Sequence, residues 1–363
     1  DIVAVRNGKD KFLGSAFYNN NSKIVLRIIS RNANDTFDYD FFKRRIEYAL
    51  SYRMKVMPND LNAFRLIYGE ADFLSGLTVD KFNDVLVCQI LSLGIDIRKD
   101  IILKALYDVV SKYFKIRGIY LRCDVALREK EGLEEYVGWY DKIPVTSQET
   151  TTEIIENGLK YLVDFKEGQK TGFFLDQKYN RLTIRNLAKD MTVLDCCTHT
   201  GSFAMNAALG GAKKVMALDI SQKALLDAKK NFWLNNLNID TYCADLFDYL
   251  RKLVDSKNKE YNLIILDPPA FTKSKDTIKS ALKGYQEINY LAMKALPRGG
   301  YLATASCSHY ASEEDFIRAI FNASIMAGVS LRVVKKSYAA PDHPEVMGIP
   351  ETKYLKFFIF QVV

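Results

Sequence analysis

The stretch MTVLDCCTHTGSFAMNAALGG, residues 191–211, decides the fold. Its first part is a short apolar run ending on Asp195 and two cysteines. From Gly201 onward it carries the small and apolar residues of a buried helix. A strand that enters a helix through a glycine-containing turn is the opening unit of an alternating α/β sheet. The same pattern repeats downstream: KKVMALDI and a helix SQKALLDAKKNFWLNNL, IDTYCADL, YNLIILDPPA, a helix through YQEINYLAMKAL, and GYLATASCS. These strands are nearly continuous apolar runs, as parallel strands are when helices cover both faces. The expected fold class is α/β, a doubly wound and mostly parallel sheet over residues 151–363.

Two blocks are expected upstream. Residues 1–57 hold short strand-like runs, KIVLRIIS the clearest, and a helical stretch YDFFKRRIEYALSYR. Residues 58–150 read as strand, strand, helix, strand, strand. There GLTVDKF and DVLVCQIL flank Asn83-Asp84 as a hairpin, DIILKALYDVVSKYF is an amphipathic helix and GIYLRCD a further strand. With 363 residues, 48% hydrophobic and 26% charged, the chain has the composition of a soluble globular protein. No window approaches the roughly 18 apolar residues of a membrane span. Six scattered cysteines and three histidines show neither a disulfide framework nor a metal-ligand spacing, so a reducing, cytoplasmic setting without a metal is expected. The net charge of +7 is unevenly placed. Residues 1–57 carry eleven Lys/Arg against six Asp/Glu, including Lys43, Arg44 and Arg45. A second basic run holds Lys273, Lys275, Lys279 and Lys283. Both are either solvated surface or the footprint of a polyanion such as nucleic acid.

Ligands of doubly wound sheets bind beyond the carboxyl ends of the strands. The first strand here ends in a turn with Thr198, Thr200, Gly201 and Ser202. The second ends in Asp219-Ile220, where a carboxylate can take two ribose hydroxyls. The third ends near Asp245-Leu246, where an acid can accept from an adenine amine, and the fourth in LDPPAF, Asp267 to Phe271. Singly, an acid after a strand is more often a helix cap than a ligand. Three in succession after a glycine turn suit one nucleoside. The G-x-G-x-x-G turn of pyrophosphate binders is absent, which disfavours a dinucleotide. S-adenosylmethionine, a nucleoside without a pyrophosphate, fits.

At this point the chain resembles the class I S-adenosylmethionine-dependent methyltransferases. More narrowly, it resembles the family that methylates C5 of a cytosine in bacterial large-subunit ribosomal RNA. The resemblance rests on GQKTGFFLDQKYNR (168–181), TGSFA, DISQKALLDAKKN, LDPPAF, SCS and the late DHPE…PETKYLK, in that order. It implies an N-terminal PUA domain, here entered partway at GKDKFLGSAFYN, a central β-β-α-β-β domain, and the methyltransferase domain. It also implies that Lys170, Thr171 and Phe173 help wall the cofactor site, with Asp195, Asp267 and Pro268 completing it. Ribosomal RNA is the implied partner and a homodimer is conceivable; Lys43, Arg44, Arg45 and the 273–283 lysines are the candidate RNA contacts.

C5 of cytosine is a poor nucleophile. Adding a thiolate to C6 makes C5 an enamine carbon able to attack a methyl donor, splitting one hard step into two. An acid near N3 stabilises the adduct. Asp267 is the candidate acid, stiffened by Pro268 and Pro269. Cys307 follows the next strand, so it is expected to face the same pocket, and the resemblance carries the nucleophile's role onto it. The bland alternative is a packed strand cysteine. Cys196 and Cys197 read as packing residues, and His343 as a turn histidine outside the catalytic set. The sequence names no base for the C5 proton. Two other readings stand beside this one: methylation of a base nitrogen such as guanine's, and a non-catalytic RNA-binding assembly factor.

Overall fold

The computed structural model describes residues 1–257, 259–272 and 275–363. The chain divides into two compact units. The first comprises Asp1–Glu156, Tyr161–Leu175 and Pro341–Thr352; the second comprises Asn157–Lys160, Asp176–Ala340 and Lys353–Val363.

In the first unit, β1 (Ile2–Arg6), β2 (Phe12–Tyr18) and β3 (Leu26–Ser30) form a three-stranded antiparallel sheet. Helix α1 (Tyr39–Val56) starts where Asp38 caps it by accepting from the Phe41 N–H. Strands β4 (Ala63–Tyr68), β5 (Leu77–Phe82), β6 (Val85–Ile90), β7 (Gly118–Cys123) and β8 (Tyr136–Trp139) pair in that order. All neighbours are antiparallel except β6 and β7, which run parallel because α2 (Leu93–Ile97) and α3 (Lys99–Val110) carry the chain across. Asn83, with φ 49°, turns the two-residue β5–β6 hairpin as its sequence indicates. Strand β4 is an addition to the sequence reading, so three strands precede the helices. One apolar core runs from Phe17 and Ile29 through Phe41, Phe42 and Ile46 of α1 to Phe64, Leu86, Leu106 and Ile119. Residues 1–57 and 58–150, separated on sequence, share that core. A further hairpin, β9 (Thr151–Glu156) with β10 (Leu159–Asp164), turns on Asn157-Gly158, both at positive φ.

In the second unit, α4 (Lys178–Leu187) precedes the alternation. It continues as β11 (Thr192–Cys196), α5 (Ser202–Leu209), β12 (Lys214–Asp219), α6 (Gln222–Leu234), β13 (Asp240–Cys243), α7 (Leu246–Asp255), β14 (Leu263–Leu266), α8 (Ile278–Ala295), β15 (Tyr301–Ser306), α9 (Glu313–Ala327), β16 (Leu331–Ser337) and β17 (Lys356–Val362). The sheet order is β13-β12-β11-β14-β15-β17-β16. Strands β11 to β15 pair in parallel, and β17 inserts antiparallel between β15 and β16. The doubly wound, mostly parallel expectation holds, with β17 reversed. Chain order reverses direction at β11, flanked by β12 and β14, which is where such sheets open a ligand crevice. Among the described residues no helix is long and apolar enough to cross a membrane.

Candidate active site

The turn after β11 is built from three left-handed residues: Cys197 (φ 60°), His199 (φ 49°) and Gly201 (φ 80°). Left-handed backbone costs a non-glycine residue about 1 kcal/mol, so the turn must be held from outside. Asp195 does so from within the sheet. It is fully buried, and its Oδ2 accepts from Thr198 Oγ1 at 2.5 Å and from the Ala204 N–H at 2.9 Å. Burial raises its carboxyl to about 7, against the pull of those two bonds. Its Oδ1 has no hydrogen-bond partner among the described residues. Gly201 answers to packing as well as to conformation. A Cβ there would lie 2.3 Å from the Phe232 ring on α6. The glycine therefore lets helix α6 approach the turn closely.

Asp219 closes the same turn from β12. Its Oδ2 accepts from the His199 N–H and its Oδ1 from the Ser221 N–H, both at 2.9 Å. A half-buried carboxylate oriented by two backbone donors still offers lone pairs to a diol. Ile220 beside it is 69% exposed, an apolar face at the mouth of the crevice. Asp245 is the N-cap of α7, accepting from the Phe247 and Asp248 N–H groups on Oδ1 alone. Leu246, Thr198 and Ser202 are buried; Thr200 is half-buried, and its carbonyl accepts from Asn231 Nδ2 at 3.0 Å. Burial raises the Cys197 thiol, and Asp219, Asp267, Asp195 and Asp245 all raise it further. Four carboxylates at successive strand ends therefore bear on one point. Burial also lowers His199, against the charges of Asp219 and Asp227. An oriented, partly exposed carboxylate with an apolar neighbour at the switch point suits a ribose and its base, so the residues present fit S-adenosylmethionine.

Asp267 follows β14 and is half-buried, with Pro268 buried and Pro269 exposed. Its Oδ1 accepts from Gln177 Nε2 at 3.0 Å. Asn180 Nδ2 donates to Gln177 Oε1 at 2.6 Å and to the Tyr338 carbonyl, and Ser337 Oγ donates to Asn180 Oδ1 at 2.7 Å. This relay fixes the carboxylate, and sequence reasoning missed it. The signal lay in LDQKYN, where Gln177 and Asn180 fall three apart at the start of a helix. Asp176, next to Gln177, is buried and accepts from the Tyr354 hydroxyl; the Tyr354 ring stacks on His309 at 5.0 Å.

Cys307 is the first residue past β15, half-buried, between buried Ser306 and Ser308. The Tyr285 hydroxyl lies 3.0 Å from Ser306 Oγ and 3.1 Å from Ser308 Oγ, and the Tyr285 ring packs on Phe271 at 4.6 Å. One α8 side chain thus ties the cysteine segment to the loop after Asp267. In register, Leu266 pairs with Thr304, so Asp267 stands level with Ala305 and Cys307 lies two residues beyond it on the adjacent strand. Adjacent strands sit about 4.8 Å apart and rise about 3.3 Å per residue, a spacing that a pyrimidine ring can bridge.

The remaining candidates have the following surroundings. Lys170, Thr171 and Phe173 belong to the first unit. The Thr171 hydroxyl donates to Asp80 Oδ2 at 2.5 Å, and Asp80 pairs with Arg65; the Phe173 ring packs on Tyr161 at 5.0 Å; Lys170 sets its Nζ 4.6 Å from the Phe174 ring. Arg45 donates to the Ile29 carbonyl and covers the rings of Phe41 and Phe73, and Arg44 pairs with Asp35 at 3.2 Å; Lys43 is half-buried. Lys279 and Lys283 are exposed one turn apart on α8, Lys275 opens a short turn before it, and Lys273 lies outside the described residues. His343 is buried in the first unit, its Nδ1 bonded to Asp342 Oδ1 at 2.8 Å, in a structural setting.

A doubly wound sheet with carboxylates at its switch point, and no pyrophosphate turn, defines the class: S-adenosylmethionine-dependent methyltransferases. A family model described as S-adenosylmethionine-dependent methyltransferase matches residues 133–359, and one described as a PUA-like domain matches residues 1–31. The ribosomal RNA large subunit methyltransferase I of Pseudoalteromonas translucida is 39% identical, the alignment covering 100% of this chain and 90% of that protein. Its counterpart from Klebsiella pneumoniae is 37% identical over the same shares. The crystal structure of SMU.776 complexed with SAH aligns with a TM-score of 0.86 at 22% identity, over 100% of this chain and 91% of that one, a likeness of fold. The chain belongs to the S-adenosylmethionine-dependent methyltransferase family that includes these relatives, and S-adenosylmethionine is its cofactor.

Proposed function

We propose that this protein methylates C5 of a cytosine in large-subunit ribosomal RNA through a covalent bond between Cys307 and C6. The observation that carries the reading is the placement of Cys307. It stands half-buried past the end of β15, two residues beyond the level of Asp267 on the neighbouring parallel strand. The names of the relatives support the ribosomal substrate.

When bound, S-adenosylmethionine supplies an electrophilic methyl group on a sulfonium. The protein's own part is to make C5 a nucleophile. The Cys307 thiolate adds to C6, forming an S–C bond and moving the C5–C6 electron pair onto C5. Asp267, held by Gln177, acts in its protonated form as the acid: it gives its proton to N3 as negative charge develops there, and takes it back once C5 has gained its methyl. After C5 has gained its methyl, the C5 proton passes to solvent water, its electron pair re-forms the C5–C6 double bond, and the C6–S bond breaks with its pair returning to the Cys307 sulfur. Asp219 and Ile220 hold the nucleoside, with Asp195, Thr198, Thr200, Gly201 and Ser202 shaping the turn and Asp245, Leu246 and Pro268 lining its sides. The target base must leave its stack to reach the thiol, and Lys279 and Lys283, both exposed, are the residues assigned here to RNA phosphate.

RNA carrying 5-fluorocytosine tests the reading, because a fluorine at C5 cannot leave as a proton does. The expected result is a denaturation-resistant protein–RNA adduct mapped to Cys307 and dependent on S-adenosylmethionine. Methyl transfer to a base nitrogen, with no adduct, overturns it.

A further inference from the structure

Lys356 opens β17 directly opposite Ser306, and 3% of it is exposed. Its ammonium has three donors. Two go to the carbonyls of Ser308 and Ala311, both at 2.7 Å, which span the turn that follows Cys307. Carbonyls alone do not call for a charge. A neutral amide could serve them without the desolvation penalty of a buried cation. That penalty is evident here: burial pulls the Lys356 ammonium down to about 8. Cys307 contributes the largest opposing interaction, ahead of Glu313, while Lys353 adds to the pull. Glu313 on α9 is matched by Lys353 at 3.5 Å and accepts from the Tyr338 hydroxyl. From α8, Tyr285 faces Cys307 through the serines on either side.

We infer that Lys356 is the positioning residue of Cys307: its ammonium fixes the turn from Ser308 to Ala311 and supplies the positive charge against which the Cys307 thiolate forms. This rests on the reading of Cys307 as the nucleophile. At neutral pH, below its value of about 8, Lys356 keeps its proton through the cycle. The thiol proton passes to solvent, to which half-buried Cys307 is open, and the same ammonium faces the sulfur again when the S–C6 bond breaks and the electron pair returns to it. Thiols beside cations are the ones that ionise near neutral pH.

The test is the pH dependence of iodoacetamide alkylation at Cys307, resolved by peptide mass spectrometry on the full chain. The wild-type midpoint is expected below the free-cysteine value of about 8.5. Lys356→Met is expected to raise it by about one unit or more, a tenfold loss of thiolate at neutral pH, and Lys356→Arg to restore most of it. An unchanged midpoint in folded Lys356→Met overturns the inference. Should that variant fail to fold, a wild-type midpoint at or above about 8.5 overturns it equally. The 5-fluorocytosine adduct separates the two claims. A shifted midpoint without an adduct removes the methylation reading and keeps the lysine's effect on the thiol. An adduct with an unshifted midpoint removes the role of Lys356.

Discussion

Two half-buried thiols stand just past strand ends of one sheet, and their described neighbours differ. Cys197, after β11, faces Asp219, Asp267, Asp195 and Asp245, all of which push its thiol further up. Cys307, after β15, adjoins the turn whose carbonyls are held by the Lys356 ammonium. Both are reached by the same kind of backbone, an apolar parallel strand that runs out into the crevice. A strand end alone therefore does not make a nucleophile. Under the proposed reading the neighbours decide: carboxylates suit a carrier of hydroxyl groups, a cation suits a sulfur that must ionise.

Substitution of the two thiols breaks this contrast most directly. Cys307→Ala is expected to lower turnover by about a thousandfold or more while S-adenosylmethionine affinity, read by calorimetry, stays nearly constant. Cys197→Ala is expected to form the 5-fluorocytosine adduct still. If Cys307→Ala retains full turnover, Cys307 has no part in the mechanism. Next in size is the anchoring of the acid. Gln177→Leu removes the donor to Asp267 and is expected to cost about tenfold in kcat, against about a hundredfold or more for Asp267→Asn. Equal rates for Gln177→Leu and wild type in single-turnover assays would leave the relay without a catalytic part.

The smallest effect concerns the carboxylate end and pH. Asp195 sits at about 7 when folded and near 3.8 when unfolded. Between these values the folded state binds the extra proton, so this group's stabilisation is complete below about pH 4 and is lost as pH rises through 7. Denaturant melts of the cofactor-free protein should show stability declining across that window with a slope of up to one proton. Asp195→Asn should flatten it. An unaltered slope in that variant would place the titration elsewhere.

Much of this was legible in residue order. The β11–α5 unit, the acids after β12, β13 and β14, and the Asn83 hairpin follow from apolar runs and turn chemistry, which act within a few residues. The β9–β10 hairpin carried its own signal, Asn157-Gly158, and was still overlooked between two larger blocks. Strand β4 was missed because AFRLIY lacks clean alternation; it is buried on both faces at most positions. Arg45 read as a free basic residue, whereas the rings of Phe41 and Phe73 and the Ile29 carbonyl hold it; the same charge count fits both roles.

By itself the sequence determined the alternation of strand and helix, the residue types at each strand end and the lone thiol after LDPPAF, because periodicity and turn residues are local properties of the chain. Tertiary structure alone decided that β17 runs antiparallel into the sheet and sets Lys356 opposite Ser306, and that Tyr285 and Gln177 reach the two loops. A strand's alternation is the same in either direction, and a hydrogen bond between residues 48 or 90 apart leaves no trace in spacing.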